Sequence, residues 1–247
     1  GGTRSNSQVS AYLIDAERKL TRLGGISSGG NGPCYVSVDQ RGKFVFVANY
    51  GSGSISSIKL NGDGSLDRSV SQIQHVGSSV NTQRQKGPHA HCIMVDPSNQ
   101  YLCAVDLGMD QVLVYRLDQE TGELTATGKP YRATPGNGPR HLAFHPNGKL
   151  AFVIHELASK LTSLSWNADT GEFAELETVS TLPTGYSDKN TTAEVLVHPQ
   201  GNYVYGSNRG HDSIACFKVG KANGELDLVQ LESTQGSTPR NFRMTPT

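Results

Sequence analysis

Apolar residues in this chain fall in short alternating runs, and polar turns interrupt them at intervals of roughly ten residues. Four such runs are "KFVFVANYG", "QYLCAVDLG", "KLAFVIHEL" and "NYVYGSNRG". Each leads into a second run: "SISSIKLN", "QVLVYRLD", "KLTSLSWN" and "SIACFKVG". A period of two, bounded by Gly, Asp, Asn and Pro, predicts strands rather than helices. A further strand precedes each pair, opening on Gly-Pro or a similar start and ending at a Pro-x-Gly-type turn. An acidic turn such as "GDGSL" or "QETGEL" leads on to a fourth.

The unit recurs at intervals of 47 to 57 residues. That is the period of a β-propeller blade of four antiparallel strands, so the expected fold is an all-β propeller, with a sandwich as the rival. The ends carry partial units: "SQVSAYLID" matches a third strand, and "PRNFRMTPT" matches a first strand and its turn. Closing them on each other would leave a blade without its second strand and with unpaired edges. The expectation is one propeller domain over residues 1–247, a fragment of a larger ring with about four and a half blades present.

Charge narrows the partners. Twenty-two basic and 22 acidic residues are interspersed and cancel, so neither nucleic acid nor a membrane surface is expected to bind. No apolar run is long enough to span a bilayer. The N-terminus lacks the apolar core and cleavage pattern of a signal peptide. Cys34, Cys92, Cys103 and Cys216 show neither CxxC pairing nor metal-ligand spacing, and read as free thiols in a reducing, cytoplasmic compartment. Nothing in the sequence sets the oligomeric state.

Aligned on the first strand, one position reads Cys34, His91, Arg140, Ala193 and Arg240. The second repeat takes two extra residues after its proline to stay in register. Sixteen residues on, at the end of the second strand, the chain reads Tyr50, Leu107, Glu156 and Arg209. A position serving only packing would keep one residue type. These vary from blade to blade among His, Arg and Glu, as an asymmetric site on a symmetric scaffold requires. In a propeller such strand ends surround a common cavity at one face.

At these residues the chain resembles a known family. "GPCYVSVDQRGKFVFVANYGSGSIS", "GPHAHCIMVDPSNQYLCAVDLGMDQVLVYRLD", "GPRHLAFHPNGKLAFVIHEL" and "TAEVLVHPQGNYVYGSNRGHDSIACF" are similar to the seven-bladed lactonases. That family includes propeller-type 6-phosphogluconolactonases and fungal carboxy-muconate cyclases. "GPHAH", "VDLG" and "SNRGHDSIA" look closer to the bacterial phosphogluconolactonase branch. The resemblance implies seven blades, about two of them outside this sequence. It implies hydrolysis of a small anionic sugar lactone without metal or cofactor, most directly 6-phosphogluconolactone to 6-phosphogluconate. A lactonizing cyclase and a non-catalytic scaffold are the alternatives. By motif, the cyclase branch's proposed site falls on His91, Arg140, Glu156 and Arg209, the same four that register gives.

Opening a lactone needs a base for water, donors for the oxyanion and recognition of the anionic tail. His91 is the expected base, with an activity rise between about pH 5 and 7 as it titrates. Arg140, Arg209 and Arg240 offer forked donors for substrate. Glu156 either orients these groups or is itself the base. Other signals are weaker. "GISSG" (Gly25–Gly29) fits a nucleophile elbow, but "GNGP" follows where a helix should begin. His89 and His91 share a strand face without a third metal ligand. His141 and His145 are expected to face elsewhere or to cap a turn. Asn190 begins a glycosylation sequon. Asn49, Asn208, His211 and Asp212 lie where blade-corner hydrogen bonds are expected.

Overall fold

The computed structural model describes residues 7–220 and 223–245, and every regular element among them is a strand. β1 (Gln8–Ile14) and β2 (Leu20–Ser27) form a two-stranded antiparallel sheet. The first complete blade is β3 (Pro33–Val38), β4 (Phe44–Asn49), β5 (Ser54–Leu60) and β6 (Leu66–Gln74). The second is β7 (Ala90–Val95), β8 (Tyr101–Asp106), β9 (Gln111–Leu117), β10 (Leu124–Ala126) and β11 (Tyr131–Arg132). The third is β12 (Pro139–Phe144), β13 (Leu150–His155), β14 (Lys160–Asn167) and β15 (Glu172–Ser180). The fourth is β16 (Thr191–Val197), β17 (Tyr203–Arg209), β18 (Ser213–Val219) and β19 (Leu226–Ser233).

These are the sheets that the repeat predicts, with two differences. The outer strand of the second blade is split into β10 and β11, both paired to β9. Pro130 in the gap has no N–H for the ladder, and Gly128 turns the chain at φ +74°. The second difference lies at the C-terminal side, where Arg240–Thr245 forms no strand. In each complete blade the first strand pairs with the second strand of its own blade. No such partner follows Arg240 in this sequence.

Packing explains why the second strands are so apolar. β4, β8 and β13 are buried along their whole length, because each is covered on both faces by neighbouring blades. Phe44, Phe46 and Ala48 pack toward Ile93, Leu102 and Tyr115 of the second blade. Val45 and Val47 point the other way, toward Val9 and Ile26. In β8, Tyr101, Cys103 and Val105 meet Leu142, Ala151 and Trp166 of the third blade. In β13, Leu150, Phe152 and Ile154 meet Val195, Val204 and Phe217 of the fourth. Period-two alternation thus divides apolar residues between two interfaces instead of between core and solvent.

The turns recur for hydrogen-bonding reasons. Between first and second strands, Asp39 Oδ1 accepts the N–H groups of Lys43 and Phe44, and Asp96 Oδ1 those of Gln100 and Tyr101. His145 and His198 take that place in the later blades, with Nδ1 accepting from Asn147 and Gln200. His145 therefore caps a turn, as expected. Before each third strand, Gly53, Asp110, Ser159 and Asp212 occupy one equivalent left-handed position, with φ of +63°, +55°, +53° and +54°. The carbonyl of each receives the N–H that follows its blade's outer strand: His75, Ala133, Thr181 or Thr234.

Blade-to-blade burial makes a direct prediction. Phe152 is fully buried between the third and fourth blades. Phe152→Ala is expected to cost about 3–5 kcal/mol, seen as a lower urea midpoint with little change in slope. A loss under about 1 kcal/mol would contradict a close-packed interface there.

Candidate functional site

Each blade's first strand begins with a β-bulge. In the first blade Pro33 pairs with Asn49 and Tyr35 with Ala48, so Cys34 is the extra residue. The second pairs Ala90 with Asp106 and Cys92 with Val105, leaving His91. The third leaves Arg140 between Pro139 and His141. In the fourth, Ala193 and Glu194 stand against Ser207. In the first three blades the unpaired residue is the one found by register, and in the fourth Ala193 is one of two. Ala90 occupies the place that Pro33 and Pro139 hold, which accounts for the two extra residues of the second repeat.

The residues sixteen positions on are fixed by the same corner. Tyr50, Leu107 and Glu156 donate their backbone N–H groups to the carbonyls of Gly32, His89 and Gly138, at 2.9, 3.0 and 2.7 Å. Gly32 and Gly138 sit at φ +60° and +62°, which is what the Gly-Pro start supplies. A Cβ on Gly138 would also lie 2.5 Å from Leu157.

Glu156 is the hub. Its Oε2 accepts from Arg140 Nε at 2.9 Å and lies 3.0 Å from an Arg209 guanidinium nitrogen, Nη2. Its Oε1 accepts from Arg84 Nη2 at 2.6 Å. Glu156, Arg209, His91, Arg84, Tyr50 and Arg240 line one cavity of about 440 Å³. A neighbouring cavity of about 330 Å³ is lined by Arg140, His141, Asn241 and Arg243, and it shares His91 and Arg240 with the first. Arg140 is only 2% exposed, and its Nη1 donates to the Ala193 carbonyl and to His141 Nε2, at 2.8 and 3.1 Å. The four residues expected to converge do so, and Arg240 joins them from the exposed segment after β19.

Sequence reasoning missed two parts. Arg84 lies outside the repeating frame, on the connection from β6 to β7. His141 does not face away, as the sequence reading expected: the residue after the bulge is also turned inward, with its Nδ1 2.8 Å from Glu194 Oε1. Glu194 also accepts from Asn241 and from Arg243. Since Arg140 donates to Nε2, the Nδ1 of His141 carries its proton and donates to Glu194.

The remaining candidates have structural work. His89 stacks on Tyr50 with ring centroids 4.4 Å apart, and its Nδ1 is 3.0 Å from the Tyr50 carbonyl. No cluster of three metal-ligating side chains occurs among the described residues. "GISSG" runs out of β2 into a turn with no helix. Asn190 spends its amide on Ser159, Asn208 and the His211 N–H. Asn49 and Asn208 make corner bonds to Ser28 and Thr181. All four cysteines are free, and no helix among the described residues is long and apolar enough to cross a membrane.

Electrostatics sets the protonation states. Burial alone would raise Glu156, but the hydrogen bond from Arg84 and the charges of Arg209 and Arg140 outweigh it and hold the carboxyl below its usual range. Burial, then the field of Arg140 and of His141, pushes His91 down to about 2. Burial also lowers His141, and takes His155 down to about 4. His91 is therefore held neutral in the ligand-free fold across the range where the sequence reading expected it to titrate. Desolvation pushes Cys34 up to about 11, so its sulfur, 3.8 Å from His91 Nδ1, stays a thiol.

Comparison with known proteins agrees with the propeller fold. Residues 2–247 match the family model described as "Lactonase, 7-bladed beta-propeller". The 6-phosphogluconolactonase of Bacillus subtilis is 42% identical over 240 residues, covering 97% of this chain and 68% of its own length. A periplasmic gluconolactonase of Pseudomonas aeruginosa superposes with a TM-score of 0.92 at 30% identity, over 100% of this chain and 69% of that one. A Lactobacillus plantarum protein does so at 0.91 and 35% identity, over 98% and 70%.

The buried neutral histidines predict how stability depends on pH. A histidine that binds its proton in the unfolded chain near pH 6.5 but not in the fold contributes fully above that pH and progressively less below it. Unfolding free energy should therefore fall from about pH 6.5 downward, by up to about 1.4 kcal/mol per pH unit for each such group. His91→Gln should flatten that slope between pH 6 and 4, measured by urea unfolding. An unchanged slope would place a protonated imidazole in the fold.

Proposed function

The chain belongs to the seven-bladed β-propeller lactonase family, and from that premise we propose that it hydrolyses a phosphorylated sugar δ-lactone of the 6-phosphogluconolactone type. The observation that carries the substrate class is charge. Arg84, Arg140 and Arg209 converge on one carboxylate, Glu156, and Arg240 lines the same cavity, beside a neutral His91. Such an excess of guanidinium supports a ligand with more than one negative charge, which a phosphate ester supplies and an uncharged sugar lactone does not.

In this reading water attacks the lactone carbonyl while His91 takes its proton. The carbonyl oxygen becomes an oxyanion that Arg140 and Arg209 stabilise as charge develops. The ring C–O bond then breaks, and the proton passes from His91 to the leaving oxygen, giving the hydroxy acid. Burial is the larger cause of the depressed His91, and a phosphate dianion among the arginines offsets the part due to the Arg140 field, so substrate raises the basicity of its own catalyst. Glu156, ionised and held by three guanidiniums, positions the arginines and is not the base. The free thiols support a reducing compartment such as the cytoplasm.

The test is hydrolysis of 6-phosphogluconolactone with a chelator present. The rate should persist. Arg140→Lys and Arg209→Lys keep charge but lose the fork, and each should lower kcat/KM by about tenfold or more, equivalent to about 1.4 kcal/mol. His91→Gln should act mainly on kcat. Near-normal kinetics in all three variants would reduce the site to a binding surface.

A further inference from the structure

Among the described residues, Arg84 is the one arginine lining the cavity that the blade repeat does not supply. It sits in a fifteen-residue connection from β6 to β7, where the other three inter-blade connections have five, six and ten residues. We propose that Arg84 is the specificity-determining residue of the site, a fixed guanidinium at the cavity mouth that receives the phosphate of the lactone; this rests on reading the cavity as a lactone site.

The loop is built to hold one residue still. Asn81 Oδ1 accepts the N–H groups of Gln83 and Arg84, both at 3.0 Å. The next residue, Gln85, is fully buried. Its backbone N–H donates to the Asn81 carbonyl at 2.7 Å, and its Oε1 accepts from the Asn81 N–H at 3.1 Å. Its Nε2 donates to the Leu107 carbonyl at 2.9 Å. Ser79 closes the loop, donating its N–H to the Gln85 carbonyl and its hydroxyl to Asp110 Oδ2. The backbone of Arg84 is thus clamped between a capped turn and a buried anchor, although nothing in the blade core requires it.

The side chain is placed to meet a ligand first. Of the three guanidiniums on Glu156, Arg140 and Arg209 are 2% and 10% exposed, whereas Arg84 is 40% exposed. Its Nη2 is held by Glu156 and the Tyr50 hydroxyl. Its Nε and Nη1 take part in no hydrogen bond to the described residues, and are the donors that remain for a phosphate. Depth divides the labour: buried Arg140 and Arg209 for the carbonyl end, and Arg84 for the tail, with the exposed Arg240 lining the same cavity. Glu156 joins the two, because one carboxylate touches all three guanidiniums.

The experiment compares 6-phosphogluconolactone with glucono-δ-lactone on the full chain, as wild type, Arg84→Ala and Arg84→Lys. The ratio of kcat/KM for the phosphorylated over the unphosphorylated lactone should fall about tenfold or more in Arg84→Ala, chiefly through KM. Arg84→Lys should recover part of that ratio. Inorganic phosphate should inhibit wild type competitively, and Arg84→Ala about tenfold more weakly. Equal losses on both lactones would overturn the proposal and leave Arg84 as a partner for Glu156 alone. A wild-type protein inactive on both lactones would overturn the underlying reading of the site, an outcome separate from failure of Arg84. Urea unfolding of the three proteins shows that each is folded, with the Arg84→Ala midpoint expected somewhat lower because buried Glu156 loses one of its three partners.

Discussion

The bulge at the head of each inner strand is the constraint on which the rest of this site depends. A regular strand would send alternate side chains into the two inter-blade interfaces, where they would have to be apolar. An extra residue with no ladder partner escapes that alternation, and the local twist turns it toward the central channel. Cys34, His91, Arg140 and the Ala193–Glu194 pair are those extra residues. The bulge frees a place in every blade from the demands of the core, and that is where chemistry can vary without unpacking the fold.

Freedom from the core does not mean contact with water. Arg140 and Glu156 are buried, and isolated charges at such depth would be strongly unfavourable. The network meets this by satisfaction: Arg140 has acceptors in Glu156, Ala193 and His141, and Glu156 has donors from three arginines. The balance is deliberately incomplete in charge though nearly complete in hydrogen bonds. One carboxylate suffices to fix three guanidiniums in place, yet leaves their combined positive charge for a substrate.

How much of this was legible in sequence follows from the same geometry. Blade number, strand order and the paired positions sixteen residues apart were readable, because a repeat exposes its own register. The pairing of Glu156 with Arg140 is that register seen in three dimensions. His141 and Glu194 were not readable, since a period of two predicts that the neighbour of an inward residue points outward, and a bulge breaks that rule silently. Arg84 was hidden for the opposite reason: it belongs to no repeat, so nothing aligned with it. The titration of His91 was misjudged because an imidazole near neutral pH is a property of water, and its burial beside Arg140 is visible only once blades two and three are side by side.

The site residues also hold the blades to one another. Arg140 reaches from the third blade to the Ala193 carbonyl of the fourth, and the Cys34 thiol from the first toward the Ala90 carbonyl of the second. No blade contains the site alone: Tyr50, His91, Glu156 and Arg209 come from four successive ones. Deep positions such as Arg140 therefore carry both chemistry and cohesion, and exchanging them disturbs two functions at once. Arg84 also bridges blades through Tyr50 and Glu156, but its backbone is braced by its own loop instead of by a blade, and in the proposed reading it carries recognition. On that reading, a propeller of this kind can keep its reaction at depth and change the tail it recognises at the rim, since the rim loop is braced by its own hydrogen bonds more than by the packing that makes the ring.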